Sequence, residues 1–157
     1  MDPLELDAMR TIKILQDRVA ISDLVNSYAQ AVDRRDTQAA AELFVSDGEL
    51  VVGATPDGRP PSSRRGRDSI NQALTWIAQY RSTFHEITSH SVEIRGDTAS
   101  AQTGCEAHHV RGSDETETDW IWFINYFDDF VREPEGWKFS KRQLRIEFVK
   151  EHPLKQT

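Results

Sequence analysis

Residues 82–111, "STFHEITSHSVEIRGDTASAQTGCEAHHVR", decide the fold. In the second half Ala99, Ala101, Thr103, Cys105, Ala107 and His109 fall on one face, and Ser100, Gln102, Gly104, Glu106 and His108 on the other. A period of two belongs to a strand with one buried face. "RGDT" (95–98) is the turn that joins this run to the alternating run before it, so the pair reads as a hairpin over about 83–95 and 98–111. The small, mostly apolar face points inward. That puts His109 at the inner end of the row and His108 outside.

Two further alternating runs follow, at about 117–132 and 137–150, with "REPEGW" (132–137) as their turn. Upstream the period is helical. Leu15, Val19, Ile21, Leu24, Val25, Tyr28 and Val32 mark an amphipathic helix over 12–32. Asp36 or Thr37 caps a short second helix with Ala40, Leu43 and Phe44 on its buried side. "SDGELVV" (46–52) turns into a strand at about 49–52. The Gly-, Pro- and Ser-rich stretch 53–69 is a loop, a candidate rim or lid. A third helix over 69–80 carries Ile70, Ala73, Leu74 and Ile77 on one stripe, with Trp76 beside it.

Helices first and an antiparallel meander after them define an α+β fold. The expected form is a cone-shaped, curved, mostly antiparallel sheet with three helices over its concave face and a space between them open at one end. Residues 1–10 read as a flexible tail, 11–152 as a single domain and 153–157 as a C-terminal tail.

Composition narrows the partners. A net charge of -7 argues against nucleic-acid binding, which calls for a basic face. Cys105 is the only cysteine, so no internal disulfide forms, and it reads as a small buried apolar residue in a reducing compartment. The acidic start "MDPLELDAMR" is not a signal peptide, and no run approaches the length of a membrane span, so the expected location is cytoplasmic. A metal is not expected: His108 and His109 face opposite ways, and "HEITSH" separates its histidines by five residues on a strand. No Gly-rich phosphate loop is present, so no cofactor is expected.

Four polar residues suggest chemistry: Tyr28, Asp33, His85 and Arg145. A carboxylate that orients an imidazole, with a phenol and a guanidinium as oxyanion donors, makes a proton-transfer site. Periodicity leaves their convergence open. Tyr28 and Asp33 stand about 140° apart on a regular helix. In the first hairpin strand, Val92 and Ile94 share a face with His90, so strict alternation nominates His90 unless a bulge lies between it and His85. Arg145 falls on the face of Trp137, Phe139, Lys141 and Gln143, with Arg142 opposite. Trp76, Trp120 or Trp122, Phe84 and Tyr126 are available as pocket aromatics. The doubly apolar "DWIWFINYF" (119–127) predicts subunit contact across the sheet.

The segments "AISDLVNSYAQAVDRRDTQAAAELFVSDGEL", "FHEITSHSVEIRGDTASAQTGCEAHHV" and "GWKFSKRQLRI" resemble the SnoaL-like branch of the nuclear-transport-factor-2-like superfamily. The likeness runs from about residue 15 to residue 150. It is nearest in look to the scytalone dehydratase, bile-acid 7α-dehydratase and hexachlorocyclohexane dehydrochlorinase families, and "WKFSKR" resembles the last especially. The resemblance implies a deep apolar pocket, a catalytic His85–Asp33 dyad, a pocket tyrosine at Tyr28 and a pocket arginine at Arg145. It favours His85 over His90. Ser89 departs from the Asn that many relatives carry.

The function expected is a cofactor-independent lyase acting on a hydrophobic, ring-containing small molecule, with His109, Trp76 and Trp120 touching the substrate. An isomerase or cyclase on a steroid- or polyketide-like substrate, and a non-catalytic ligand binder, are the alternatives. A homo-oligomer is expected, a trimer ahead of a dimer.

Overall fold

The computed structural model describes residues 2–113 and 116–154. Three helices pack against one six-stranded curved sheet: α1 (Pro3–Asp33), α2 (Thr37–Glu42), β1 (Phe44–Val52), β2 (Ser62–Arg65), α3 (Arg67–Leu74), a 3-10 turn (Thr75–Gln79), β3 (Ser82–Arg95), β4 (Thr98–Arg111), β5 (Thr118–Glu133) and β6 (Gly136–Pro153). The strand order is β2-β1-β6-β5-β4-β3. Only β1 and β6 run parallel. The α+β cone read from the sequence is this architecture. The added strand is β2, taken from the predicted loop and paired to β1 at the sheet edge.

α1 begins at Pro3, so residues 3–10 are helical where a tail was expected. Asp2 accepts from the Leu4 N–H at 3.2 Å and donates its own N–H to Glu5 at 3.1 Å, with Pro3 in the first turn. This reciprocal cap satisfies backbone N–H groups at the start of the helix and supports its solvent-exposed first turns. Leu4, Leu6, Met9 and Ile12 are accordingly exposed, and burial begins at Asp17. At the other end β6 runs to Pro153, into the expected tail; residues 155–157 of that tail lie outside the described residues.

Two register shifts set which side chains face the helices. In β3, Ile87 pairs with Cys105 but Ser89 with Gly104, so Thr88 is an extra residue. The parity of the strand flips there, and His85 (opposite Ala107) and His90 (opposite Thr103) both face inward. In β6, Phe139 pairs with Phe130 but Lys141 with Asp129, so Ser140 is the extra residue. Trp137 and Phe139 are buried before it, and Arg142 after it. Strict alternation carried across Ser140 had placed Arg145 inside and Arg142 outside; the bulge reverses both.

Gly104 gives the first bulge room. A Cβ there would meet Ser89 Oγ at 2.5 Å and Thr88 Oγ1 at 2.8 Å.

α1 is anchored at Asp17. Its two carboxylate oxygens take a fork from Arg132 at 2.6 and 2.7 Å, and Trp137 Nε1 adds a bond at 3.1 Å. Beyond it Ile21, Leu24, Val25, Tyr28 and Val32 enter a core with Phe44, Phe130 and Phe139. The Arg132 hydrogen bonds outweigh burial and hold Asp17 down at about 2. A depressed carboxylate pKa stabilises the fold above the ordinary value and loses that contribution as pH falls through the folded pKa. Asp17→Asn should therefore cost about 2 kcal/mol at neutral pH. In urea titrations across pH, that difference should shrink between pH 3.8 and about 2.

Candidate active site

Asp33 is the last residue of α1, and the chain turns away immediately after it. Arg35 takes a left-handed φ of 63°, and the Asp36 N–H returns to the Ala31 carbonyl at 2.9 Å. The helix end leaves the Asp33 carboxylate against the start of β3. There it accepts from the His85 backbone N–H at 2.8 Å, lies 2.6 Å from His85 Nδ1, and accepts from Thr83 Oγ1 at 2.9 Å. Arg35 Nη1 donates to Thr83 Oγ1 at 2.7 Å, which turns the hydroxyl proton toward Asp33. Arg35 also donates to the Tyr80 carbonyl at 3.1 Å.

Burial alone would raise the Asp33 pKa, but the His85 contacts and the Thr83 hydroxyl together hold it below the ordinary value. An ionised carboxylate only accepts, so His85 Nδ1 carries the proton. Nε2 is then the ring nitrogen available to the cavity that His85 lines.

That cavity measures about 390 Å³, within the range of small-molecule sites. Tyr28, Leu50, Trp76, Trp122, Tyr126 and Leu144 supply its apolar wall, and Thr55, Arg59 and Pro60 come from the 53–61 loop, which forms a rim. A second hollow of about 400 Å³ lies on the outer sheet face, lined by polar residues such as Glu93, Gln102 and Asp129 and remote from the dyad.

Tyr28 lines the main cavity with its ring edge-on to Phe44, Tyr126 and Phe139. Burial pushes its phenol up to about 12, so the hydroxyl stays a donor. Tyr28 and Asp33 lie on different helix faces; Tyr28 lines the cavity itself, and Asp33 reaches it through His85.

Arg145 is outside, paired to Glu147 at 2.6 Å and lying over Phe127 on the solvent face. The inner arginine is Arg142. It forks onto Asp128 at 2.9 and 3.0 Å, and its guanidinium lies 4.3 Å from the Tyr28 ring centre and 3.9 Å from that of Tyr126. Burial works against its charge, but Asp128 and the two phenols outweigh it and keep Arg142 above its ordinary value.

Of the three expected substrate contacts, Trp76 alone lines the cavity. Trp120 stands edge-on behind Trp122 and is buried under Arg111. His109 sits one layer behind the wall, 4.3 Å from the Trp122 ring, edge-on to His85 at 6.0 Å, with Nδ1 3.1 Å from the Trp120 carbonyl. His90 is inward but removed from Asp33, bonded through Nδ1 to Thr103 Oγ1 at 2.9 Å. Thr83, Arg35, Arg59 and Arg142 were not singled out from the sequence. Thr83 alone left a signal, two residues before His85 on the same strand face.

Among the described residues, no three His, Cys, Asp or Glu side chains group as metal ligands, and no helix is long and apolar enough to cross a membrane.

This arrangement matches a known family. The SnoaL-like domain model covers residues 13–143, and the chain belongs to that family. An uncharacterized protein from Mycobacterium tuberculosis (strain ATCC 25618 / H37Rv) is 29% identical over 143 residues, spanning 86% of this chain and 88% of its own. A scytalone dehydratase candidate from Novosphingobium aromaticivorans superposes with TM-score 0.75 at 25% identity, covering 92% of this chain and 93% of that one. Hexachlorocyclohexane dehydrochlorinase from Novosphingobium barchaimii gives TM-score 0.73 at 20% identity, over 92% and 94% of the two chains, a likeness of fold.

Burial, helped by the nearby His85, lowers the His109 pKa from 6.5 to about 3. The unfolded chain then binds the extra proton between those values, so His109 lowers stability as pH falls through that window. His109→Gln should lessen the drop in melting temperature between pH 6.5 and pH 4, measured by circular dichroism.

Proposed function

We propose that the cavity is a cofactor-independent elimination site acting on a hydrophobic, ring-containing small molecule. The observation that carries this reading is the 2.6 Å contact of His85 Nδ1 with a carboxylate at the wall of an apolar cavity. A ligand-binding protein has no need of an imidazole fixed by an acid; a general base does. The dehydratase candidate and the dehydrochlorinase among the similar structures support the same reaction class.

In the proposed reaction, His85 Nε2 takes a proton from a carbon made acidic by a neighbouring carbonyl. The C–H electron pair becomes the new carbon–carbon double bond, and the leaving group departs from the adjacent carbon with its own bonding pair. Where that group is hydroxide, the imidazolium returns the proton and water leaves. Asp33 fixes the tautomer beforehand and stabilises the imidazolium when it forms. Tyr28, held as a neutral phenol, donates to the carbonyl oxygen as negative charge develops there. Arg142 takes a supporting place beneath Tyr28, its charge already committed to Asp128.

With a panel of hydroxylated and carbonyl-bearing ring compounds, turnover should proceed without added cofactor and survive a chelator. His85→Ala should lower the chemical step by roughly 10²-fold or more, the usual scale for a general base. Asp33→Asn should be similarly severe, because the amide no longer holds the imidazole in one tautomer. Tyr28→Phe should cost less, since it removes one hydrogen bond and keeps the ring. Binding should weaken far less than turnover in the His85 variant. Undiminished turnover by His85→Ala would refute the mechanism, and tight binding with no reaction across the panel would favour a binding protein.

We also propose that the chain forms a homo-oligomer through the outer sheet face. Phe123 and Phe148 stack there at 4.3 Å, and Phe84 and Phe148 are 61% and 60% exposed. Size-exclusion chromatography with light scattering should show a trimer or dimer at micromolar concentration. Phe148→Glu should shift it toward an 18.0 kDa monomer, and a monomeric wild type would overturn the proposal.

A further inference from the structure

Among the described residues, four buried side-chain polar atoms lack a hydrogen-bond partner, and two of them are N–H donors of residues that line the cavity: Arg59 Nη2 and Trp122 Nε1. Buried donors are almost always satisfied, so two at one cavity point to an occupant that accepts hydrogen bonds. We infer that Arg59 anchors an acidic group of the substrate, so that the ligand is an apolar ring compound bearing a carboxylate. This rests on the cavity being the substrate site.

Arg59 is held in place for that task. Asp57 accepts from its Nε through both oxygens, at 3.1 and 3.0 Å. Asp57 is fixed in turn by Thr55 Oγ1, Gln79 and the Tyr80 hydroxyl. The guanidinium lies over Trp76, 3.6 Å from the ring centre, and Trp76 stacks on Trp122 at 5.7 Å and 7°. Held by Asp57 at Nε and by Trp76 beneath it, the guanidinium keeps a buried Nη2 without an acceptor, which a bidentate oxyanion would satisfy. The side chain is one-third exposed, which places it at the rim, while Trp122 is buried in the wall.

The charge balance of the lining agrees. Apart from His85, its charged side chains are Arg59 and Arg64, and no carboxylate lines the cavity among the described residues. That is notable in a chain of net charge -7. The Asp33 charge faces His85 and Thr83. Asp57 offsets much of the Arg59 charge, so an acid meets Arg59 as an oriented donor beside the Arg64 cation, above an apolar interior with Trp122 Nε1 left for an oxygen on the ring.

The test is a binding measurement, independent of turnover. Naphthalene and biphenyl carboxylates would each be titrated against the isosteric, neutral carboxamide, by calorimetry and by quenching of tryptophan fluorescence. Wild type and His85→Ala should both prefer the carboxylate by roughly tenfold or more, the scale of one charge-assisted hydrogen bond. Arg59→Gln should bring that ratio near one and leave carboxamide binding little changed. Arg59→Lys should keep part of it, and carries the test should the Gln variant not fold. Arg64→Gln should keep most of it. No carboxylate preference in the wild type, a preference that survives Arg59→Gln, or one lost only in Arg64→Gln would each overturn the assignment. Because His85→Ala is measured alongside, a failed catalytic reading and a failed anchor give different results.

Discussion

The Asp33 carboxylate is the constraint on which the rest of the site depends. It joins the last residue of a long helix to the first residues of β3, and it does so through three acceptor contacts rather than one. Two of those contacts come from a single residue, His85, through backbone and ring. The backbone contact sets where β3 lies against the helix end, and the ring contact sets how the imidazole is turned. Fold and chemistry thus share a carboxylate. Arg35 extends the arrangement from outside, since its strained backbone turn brings the guanidinium back to Thr83 and to the Tyr80 carbonyl. Helix end, loop and strand are locked about the acid before any ligand arrives.

A second buried charge pair does different work. Arg142 and Asp128 face each other across β6 and β5 with almost no exposure. Such pairs seldom add much stability over an apolar filling, because desolvating both ions offsets their attraction. Here the guanidinium sits among the rings of Tyr28, Tyr126 and Phe139, whose faces favour a cation. Its effect is to fix the plane of Tyr28 while adding no net charge to the cavity. The cavity's cationic character comes from the rim instead.

Much of this architecture was legible in the sequence, and the failures have a common cause. β3, β4 and β5 were placed to within a residue, because one buried face imposes the alternation, while the exposed first turns of α1 and the last residues of β6 gave no such pattern and were read as tails. The inner face of β4 could be read residue by residue to His109. β3 and β6 could not, since β3 carries an extra residue at Thr88 and β6 carries two, at Ser140 and Glu147, and alternation has no means of announcing a skipped count. The family likeness pointed to His85 rather than His90, and it is His85 whose ring lies against Asp33. The inner arginine was misread, and Arg145 was chosen where Arg142 is the buried one. Trp120 and His109 were placed on the correct face but at the wrong depth. The loop 53–61 left no periodic signal at all, so Arg59 and its supports were invisible until the chain was folded.

The bulge at Thr88 makes the inner surface of β3 depend on a backbone conformation rather than on an identity. His85 and His90 share the inner face only because one residue is spare between them. Loss of a single codon at that point would leave a strand of ordinary length, still paired with β4 and still matched to the core from His90 onward. His85 would then stand four residues before His90 and stay inward by simple alternation, opposite Ala107, whereas straightening the strand with Thr88 kept would turn Phe84 and Glu86 inward in place of His85. The inward imidazole therefore depends on the bulge being formed and not on the length of the strand. Gly104 leaves room for the bulge, whose two hydroxyls lie where a side chain at that position would be.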